Sequence, residues 1–251
     1  MAKTVYFSHG DKGGVGKSMM SALLVEYFLE NGEKVAIIEG DINAPDIARR
    51  YRPIGVPGAG VNLARAGASE EAVVRFINSI EELAEHEHIV VNLPAAASET
   101  LDANGDVIAG GLSEIGFDMC VMYSIGQTNE SVESFKGSAQ SGLFSVASPA
   151  KQVVVYPMFC GDPNDFAFVK TGMRDKYSFQ HEITVPAIQP ATLVSKVLAL
   201  PGAFSDLASG KSPGLSTGER LMFAKRFFRP AMDSIAKVFT LSTQETQGEA
   251  A

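Results

Sequence analysis

The sequence has no tryptophan, only two cysteines, and no apolar run of the roughly 18 residues that a membrane-spanning helix requires. Cys120 and Cys160 form no C-x-x-C pair and have no histidine pair close by, so they indicate neither a disulfide framework nor a zinc cage. The first strand-like segment is not preceded by the basic and apolar segments of a signal peptide. We therefore expect a cytoplasmic protein under reducing conditions.

The sequence also has fewer basic than acidic residues. The chain has 21 lysines and arginines against 29 aspartates and glutamates, which gives a net charge of -8. This excess of acid disfavours a general electrostatic attraction to nucleic acid. The basic residues are unevenly distributed, however, because between residues 211 and 237 they outnumber the acidic ones by six to two: Lys211, Arg220, Lys225, Arg226, Arg229 and Lys237.

Short runs of β-branched and aromatic residues alternate with segments of helical periodicity. The runs lie at residues 4–9, 34–40, 88–93, 118–124, 152–159 and 182–188. This alternation predicts an α/β fold in which helices cover both faces of a mostly parallel, twisted sheet. We expect a single domain over residues 1–241, a polar C-terminal tail over residues 242–251, and a long surface loop over residues 53–60.

A glycine-rich segment, GDKGGVGKS at residues 10–18, follows the first run and leads into a helical segment that ends at Asn31 and Gly32. Such a loop between strand and helix lets backbone N–H groups surround phosphate oxygens where the helix macrodipole favours anions. In it Lys17 reaches the β- and γ-phosphates and the Ser18 hydroxyl ligates Mg²⁺. The alternative is a turn that only joins the strand to the helix. The predicted nucleotide-binding residues of the loop are Asp11, Gly13, Gly14, Val15, Gly16, Lys17, Ser18 and Met19.

Two residues of the loop depart from the usual phosphate-loop pattern, which has glycine at position 11 and no required lysine at position 12. With Asp11 and Lys12 there, KGGVGKS resembles the deviant Walker A motif of the ParA/MinD group of P-loop ATPases. The resemblance implies a P-loop NTPase fold, with ATP and Mg²⁺ as ligands and a homodimer that holds nucleotide at its interface. It also implies catalytic roles for Lys17 in its own subunit and for Lys12, which contacts the nucleotide of the facing subunit.

Acidic residues follow the second predicted strand. Glu39 and Asp41 lie on the same side of the chain at the strand's carboxyl end, the edge where parallel sheets bind ligands. The resemblance implies that Asp41 positions the attacking water and orders the adjoining loop. The alternative is that Asp41 only caps the turn before Pro45.

Asn92 ends the third predicted strand, where the resemblance calls for the Walker B carboxylate. An amide keeps the hydrogen-bonding shape but lacks the negative charge, so we expect weaker Mg²⁺ binding and slower hydrolysis. Glu39, Asp41 and Asp11 are the candidates to compensate. We therefore expect a slow ATPase that uses nucleotide chiefly as a switch, with Ser18, Asp41 and Asn92 around the metal.

Two segments, residues 1–28 and 204–235, resemble the conjugation and mobilisation branch of this family, represented by TraL and MobD. Family members contact adenine after the fifth strand and in the loop after the sixth. This chain has Tyr156, Pro157 and the segment from Pro186 to Pro190 there, and no asparagine of the kind that the family carries is evident after strand five. Phosphate binding therefore has more support in the sequence than the identity of the base.

The last helical segment, residues 218–241, is amphipathic. A helical wheel places these residues on one apolar face: Leu221, Ala224, Phe228, Met232, Ile235 and Phe239. The basic residues nearby are a candidate surface for DNA or a DNA-bound partner protein, and the alternative is a solvated face. They are Arg220, Lys225, Arg226, Arg229 and Lys237. We expect no membrane anchor, because the terminal STQETQGEAA lacks bulky apolar residues, and no iron–sulfur cluster, because Cys120 lies in mid-strand.

These observations together predict an ATP-binding, slowly hydrolysing dimeric switch that acts in plasmid partition, mobilisation or conjugative transfer. The setting is implied by the family resemblance rather than by site chemistry. Two alternatives stay open. A small-molecule kinase or ligase of the dethiobiotin synthetase type would use the segment from Arg49 to Gly67 to hold an acceptor. A nucleotide-binding adaptor with negligible catalysis would account for Asn92.

Overall fold

Seven parallel strands form one sheet within the residues that the computed structural model describes, which are 3–10, 13–42, 44–63, 69–94, 97–177 and 179–248. Their order across the sheet is β3-β2-β4-β1-β5-β6-β7, with every neighbouring pair parallel. The strands are β1 (Lys3–His9), β2 (Val35–Glu39), β3 (Gly58–Gly60), β4 (His88–Asn92), β5 (Phe117–Ser124), β6 (Gln152–Pro157) and β7 (His181–Val185). Since β1 is central, the loop that follows it lies at the middle of the sheet's carboxyl edge.

Helices connect the strands and cover both faces of the sheet. They are α1 (Lys17–Glu30), α2 (Asp46–Tyr51), α3 (Ser69–Glu82), α4 (Ala97–Ala103), α5 (Gly105–Glu114), α6 (Asn129–Ser141), α7 (Leu143–Val146), α8 (Ala167–Lys170), α9 (Met173–Lys176), α10 (Thr192–Ala199), α11 (Phe204–Ser209), α12 (Thr217–Met222) and α13 (Arg229–Gly248). A π-helix over Phe223–Phe228 joins α12 to α13. The predicted α/β class is confirmed.

The strands carry apolar residues on both sides, as a sheet covered on both faces requires. Along β1, Val5 and Phe7 belong to one core cluster and Tyr6 to the other. The first cluster lies under α3 to α9, and the second under α1, α2, α10, α11, the π-helix and α13. The helix α1, which starts at the glycine-rich loop, therefore lies on the same face of the sheet as the C-terminal helices.

The prediction of a surface loop over residues 53–60 is wrong for its last three residues. Gly58–Gly60 form the edge strand β3, paired with residues 37–39 of β2. A Cβ at Gly58 would collide with the carbonyl oxygen of Ile37, so the close pairing requires glycine there. A Gly-Ala-Gly strand has no apolar alternation, and for that reason the sequence pattern does not reveal it.

The apolar face of the C-terminal helices also differs from the prediction. Leu221 is 42% exposed, whereas Phe223 and Phe227, which the helical wheel leaves off that face, are 0% and 1% exposed. The cause is the π-helix, in which the wider i→i+5 turn inserts a residue and rotates the residues before it relative to those after it. Beyond it, Met232 and Ile235 are buried as predicted.

The last helix, α13, reaches further than the sequence predicts. Its backbone is helical to Gly248, which includes most of the segment predicted as a polar tail. Glutamate and glutamine are good helix formers, so a polar composition does not end a helix by itself. The single domain over residues 1–241 stays a prediction. In the part of the chain that the structure describes, no helix combines the length and the apolar character that crossing a bilayer requires.

Candidate nucleotide-binding site

The described part of the glycine-rich loop joins β1 to α1. Gly14 and Gly16 have φ angles of 85° and 89°, a left-handed conformation that residues with side chains rarely adopt. Gly16 is the N-cap of α1, and no described side chain caps this helix start. The first N–H groups of α1 are thus directed into the loop, an arrangement that binds anions. Asp11 and Lys12 lie outside the described residues.

Most of the residues predicted to bind nucleotide line one cavity of about 480 Å³ at the carboxyl edge of the sheet. Lys17 in the first turn of α1 is only 6% exposed, and Ser18 beside it is half-buried. Val15 differs from the others because its side chain packs beneath the loop and is buried. The predicted residues that line the cavity are Gly13, Gly14, Gly16, Lys17, Ser18, Met19, Asp41 and Asn92.

The cavity has a polar side and an apolar side. Next to β2 and β4 it is lined by Asp41, Asp46 and Asn92. Next to β6 and β7 it is lined by apolar side chains: Phe159, Pro186, Ile188, Val194 and Leu198. An apolar cleft with a few convergent polar groups at one end is the usual form of a small-molecule site.

Asp41 lies immediately after β2. Its Oδ1 accepts a hydrogen bond from the backbone N–H of Ala44 at 3.0 Å, and its own N–H donates to Glu39 Oε1 at 3.3 Å. The carboxylate therefore stabilises the turn before α2 and also lines the cavity. Both roles considered from the sequence are compatible with this geometry.

Glu39 and Asn92 form a buried pair at the ends of β2 and β4. Asn92 Nδ2 donates to Glu39 Oε1 at 2.7 Å, and Asn92 Oδ1 accepts from Ser21 Oγ at 3.3 Å. Glu39 Oε2 accepts from the N–H groups of Ile47 and Ala48 at 3.2 and 3.3 Å, which fixes the start of α2. Burial raises the pKa of the Glu39 carboxyl, and the bond from Asn92 opposes the rise. The Asn92 amide group is thus hydrogen-bonded to the Glu39 carboxylate and fixes its position.

The chemistry of the cavity suits Mg²⁺ held together with phosphate. Mg²⁺ prefers oxygen ligands and keeps several water molecules, so a hydroxyl and one carboxylate are an adequate protein contribution. Ser18 and Asp41 supply these groups, whereas Asn92 Oδ1 already accepts a bond from Ser21. Among the described side chains, no group of three or more histidine, cysteine or acidic residues could bind a metal ion by itself.

Tyr156 does not come to the cavity. Its hydroxyl donates to Glu182 Oε1 at 3.0 Å, and its ring packs against Phe166 in the first core cluster, under the helices opposite α1. Pro157 lies beside Gly16 but, like Tyr156, is not among the described residues that line the cavity. In a strand, alternate side chains point to opposite faces, which is why a position at the right strand end still pointed away.

Phe159 and Arg50 are among the lining residues that the sequence did not single out. Phe159, just after β6, is 48% exposed, and its ring would lie 3.0 Å from a Cβ at Gly16. Arg50 of α2 is buried and donates to the carbonyl oxygens of Gly202 at 2.8 Å and Val197 at 2.7 Å. The position of Phe159, at the carboxyl end of a predicted strand, was the sequence signal for the first residue. Arg50 lies within the segment from Arg49 to Gly67 considered for an acceptor, but no sequence pattern indicated its structural role.

The two cysteines are free thiols in different surroundings. Cys120 is buried in β5, as predicted, and Cys160 is half-buried after β6. Burial raises the pKa of the Cys120 thiol to about 12, so this group stays protonated and behaves as a small core residue.

The predicted basic surface lies on α12, the π-helix and α13. Lys225, Arg226, Arg229 and Lys237 are exposed, and Arg220 is half-exposed. Arg229 pairs with Glu30 of α1 at 3.2 Å, so part of its charge is compensated. The geometry leaves this surface open to solvent, as both the binding interpretation and the solvated-face interpretation require.

No protein-family model matches the chain. Protein MobD from Acidithiobacillus ferrooxidans is 29% identical over 136 residues, which make up 54% of this chain and 57% of MobD. The match thus spans little more than half the length of this curated relative. A solved structure of the signal recognition particle receptor FtsY from Elizabethkingia anophelis has a TM-score of 0.50 at 13% identity, covering 72% of this chain and 58% of FtsY. A nucleotide-binding protein from Archaeoglobus fulgidus, solved with ADP, has a TM-score of 0.47 at 16% identity, covering 78% of this chain and 86% of that protein.

The central β1, the glycine-rich loop and the buried helix α1 occur here in one continuous parallel α/β sheet. Together with the likeness to FtsY, this architecture gives the chain the fold of the P-loop NTPases.

Proposed function

We propose that the chain binds ATP with Mg²⁺, dimerises around the nucleotide and hydrolyses it slowly, as a switch in plasmid partition, mobilisation or conjugative transfer. The observation that carries the proposal is the loop geometry, in which two left-handed glycines and the uncapped start of α1 lie beside Lys17. Three negatively charged phosphates fit this combination of N–H groups, helix dipole and ammonium charge.

The proposed chemistry is assigned to few residues. Lys17 neutralises charge on the phosphates, and Asp41 orients the attacking water. Mg²⁺, held by Ser18 and Asp41, would supply charge stabilisation on the phosphate oxygens. Lys12 of a facing subunit would complete the site in the dimer.

Slow turnover is proposed because the usual Walker B charge is missing. Asn92 is neutral, and Glu39 accepts hydrogen bonds on both carboxylate oxygens, from Asn92 and from backbone N–H groups. Glu39 is therefore engaged in fixing β4 and α2 to β2. If Asp41 moves when the γ-phosphate binds or leaves, the turn that it stabilises before α2 moves with it. This coupling supports a switch.

The test is sedimentation velocity of the full chain with ADP, ATP and a non-hydrolysable ATP analogue, together with calorimetric binding. We expect dimers with ATP and monomers with ADP. Lys12→Ala is expected to bind ATP and stay monomeric, whereas Lys17→Ala is expected to lose binding. Calorimetry that detects no ATP binding would refute the proposal, and a wild type that binds ATP as a monomer would refute the dimeric switch.

The proposed setting rests on the likeness to MobD and on the exposed basic surface. If this surface binds DNA, the logarithm of affinity falls linearly with the logarithm of salt concentration, by close to one unit of slope for each phosphate that the protein neutralises. Arg226→Ala with Arg229→Ala should flatten that slope by roughly 1 for each phosphate that the variant no longer neutralises. The matched control is Lys136→Ala with Lys170→Ala, which removes two lysines paired with acids elsewhere on the surface. Equal slopes in both double variants would exclude this surface.

The kinase or ligase alternative would use the segment from Arg49 to Gly67 to hold an acceptor. Among the described residues of this segment, Arg50 donates to three carbonyl groups and Arg49 pairs with Asp46 at 2.9 Å. Product formation with candidate acceptors separates this alternative from the switch. The adaptor alternative is distinguished from the switch by an assay of phosphate release from ATP. Measurable ATP turnover, raised by DNA or a partner, removes it.

A further inference from the structure

We propose that His9 is a positioning residue for the glycine-rich loop, because its hydrogen bond to Asp102 fixes the end of β1 against α4. His9 lies immediately before Gly10, where the loop begins, and it is 0% exposed. The inference rests on the proposed function, because it concerns how the loop is held in the form that binds phosphate. A ligand-binding group needs such support, since a small displacement of the group weakens its contacts with the ligand.

The His9 side chain lies on the face of the sheet opposite α1. Along β1 it continues the alternation of Val5 and Phe7, which both belong to the first core cluster. Its ring makes an edge contact with Tyr123 of β5, with 5.0 Å between the ring centres. The contacts of His9 thus support the start of the loop from the face that is turned away from α1.

Asp102 of α4 is the centre of a group of hydrogen bonds. His9 Nε2 lies 3.1 Å from Asp102 Oδ1 and 3.1 Å from Ser138 Oγ. Ser138 Oγ, in α6, donates to Asp102 Oδ1 at 2.7 Å, and the backbone N–H of Leu143 donates to the same oxygen at 2.8 Å. We call His9, Asp102, Ser138 and Leu143 the Asp102 cluster. It joins the end of β1 to α4, α6 and the start of α7.

The protonation of the Asp102 cluster follows from its donors and acceptors. Burial raises the pKa of the Asp102 carboxyl, but hydrogen bonds from His9, Ser138 and Leu143 outweigh burial and hold the pKa below its ordinary value. An ionised carboxylate only accepts hydrogen bonds, so the proton between His9 and Asp102 is on Nε2. The bond is charge-assisted and correspondingly strong. Because His9 Nδ1 has no hydrogen-bond partner among the described residues, the bonds of Nε2 orient the ring.

Gly142, between α6 and α7, makes room for the Asp102 carboxylate. A Cβ at Gly142 would collide with Asp102 Oδ1. The φ angle of Gly142 is -102°, which residues with side chains also adopt. The close approach of Asp102, rather than the backbone conformation, therefore requires glycine at this position.

The Asp102 cluster connects two segments that line the nucleotide cavity. One is the glycine-rich loop after His9, and the other is the end of β4, where Leu93 and Pro94 line the cavity. Ala97, the first residue of α4, donates its backbone N–H to the carbonyl oxygen of Pro94 at 3.2 Å, so α4 starts at this wall. The bond between His9 and Asp102 therefore holds the two segments in a fixed relation to each other.

The test is calorimetric ATP binding to variants of the full chain. His9→Leu removes the donor and should lower ATP affinity roughly 3- to 30-fold, whereas His9→Gln places an amide N–H near the position of Nε2 and should stay within about threefold of the wild type. Gly142→Ala displaces the Asp102 carboxylate without changing His9 and should also lower the affinity. The matched control is Gly137→Ala, at an exposed position of α6 with open space around it, which should leave the affinity unchanged.

Two further measurements distinguish positioning from a general contribution to stability. Hydrogen exchange of the amides of residues 13–18 without nucleotide should become faster in His9→Leu and Gly142→Ala, while exchange in β7 stays the same. The double variant His9→Leu with Asp102→Asn should bind ATP no more weakly than the weaker of the two single variants, because both act through one bond. Circular dichroism confirms that each variant is folded, and Gly142→Ala decides the question if His9→Leu does not fold.

The outcomes separate this inference from the proposed function. Folded variants His9→Leu and Gly142→Ala that bind ATP as tightly as the wild type overturn the inference and leave nucleotide binding intact. Equal weakening by His9→Gln and His9→Leu, or additive losses in the double variant, also overturns it, because the bond to Asp102 would then not be the cause. Absence of a calorimetric signal for ATP in the wild type overturns the proposed function itself.

Discussion

Replacing Asn92 by aspartate restores the acid that the Walker B pattern calls for, yet the structure predicts that this change harms the protein. Asn92 Nδ2 donates to Glu39 Oε1 at 2.7 Å, and both side chains are 1% exposed. In Asn92→Asp two carboxylates would meet at that distance, where they cannot both be ionised. One proton must therefore be retained by the folded protein.

The cost of retaining that proton follows from the ordinary carboxyl pKa. Holding a proton at pH 7 on a group that releases it near pH 4 costs about 1.4 kcal/mol per pH unit, or about 4 kcal/mol. A shared-proton hydrogen bond recovers about 1 kcal/mol, so we expect the free energy of unfolding to fall by about 3 kcal/mol. The folded variant binds more protons than its unfolded chain, so the loss grows with pH and is nearly absent at pH 5.

The assay is urea unfolding followed by circular dichroism at pH 5 and pH 8, with ATP turnover measured in parallel. The double variant Glu39→Gln with Asn92→Asp is the control, because it returns an amide donor to the pair with the partners exchanged. We expect it to regain most of the stability lost at pH 8. An Asn92→Asp variant as stable as wild type at pH 8, or a loss that does not change with pH, refutes the reasoning. Comparable steady-state turnover in the wild type and Asn92→Asp counts against the proposal that Asn92 slows hydrolysis.

Three further predictions concern the loop, the π-helix and a buried histidine. Gly16→Ala places a Cβ at a residue with φ 89°, 3.0 Å from the Phe159 ring, so it should lower ATP affinity at least tenfold in calorimetry. The control is Gly32→Ala, at φ 71° with open space around it, which should leave ATP affinity unchanged. Phe227→Ala, at a buried side chain of the π-helix, should lower the free energy of unfolding by about 3–5 kcal/mol. Leu221→Ala, at an exposed side chain, should lower it by less than about 0.5 kcal/mol. Equal losses in chemical denaturation would contradict the burial pattern that the π-helix produces. Burial lowers the pKa of His88 from 6.5 to about 4, and the Glu33 carboxylate in contact with its Nε2 opposes this fall. Stability should decrease as pH drops through that window, and His88→Gln should flatten this part of the profile in chemical denaturation.

Six of the seven strands that the structure describes, and the glycine-rich loop, were predictable because local chain properties produce them. Each of the six predicted runs overlaps a strand of the sheet, and α1 ends at Glu30, next to the predicted stop at Asn31. A buried parallel strand needs consecutive apolar residues, and a left-handed turn needs glycine, so both leave direct marks in the sequence.

Other features had no such mark. The π-helix at Phe223–Phe228 changes which residues are buried, and Pro230, which lies just after it in α13, does not by itself show where the extra residue is inserted. Tyr156 stands at the expected strand end, but the pleat turns its side chain toward Glu182 and away from the cavity. Whether a residue at the carboxyl edge reaches a ligand depends on which face of the sheet it occupies, which the strand boundary alone does not determine.

By itself the sequence predicted the positions of six strands and of the glycine-rich loop, since apolar runs and left-handed glycines depend on residues that are neighbours along the chain. Only the tertiary structure decided what Asn92 does. Its partner Glu39 is 53 residues away in sequence and reaches it because β2 and β4 are adjacent in the sheet. The apolar side of the cavity has the same origin, because Phe159, Ile188 and Leu198 come from three separate segments that only the completed fold brings to one wall.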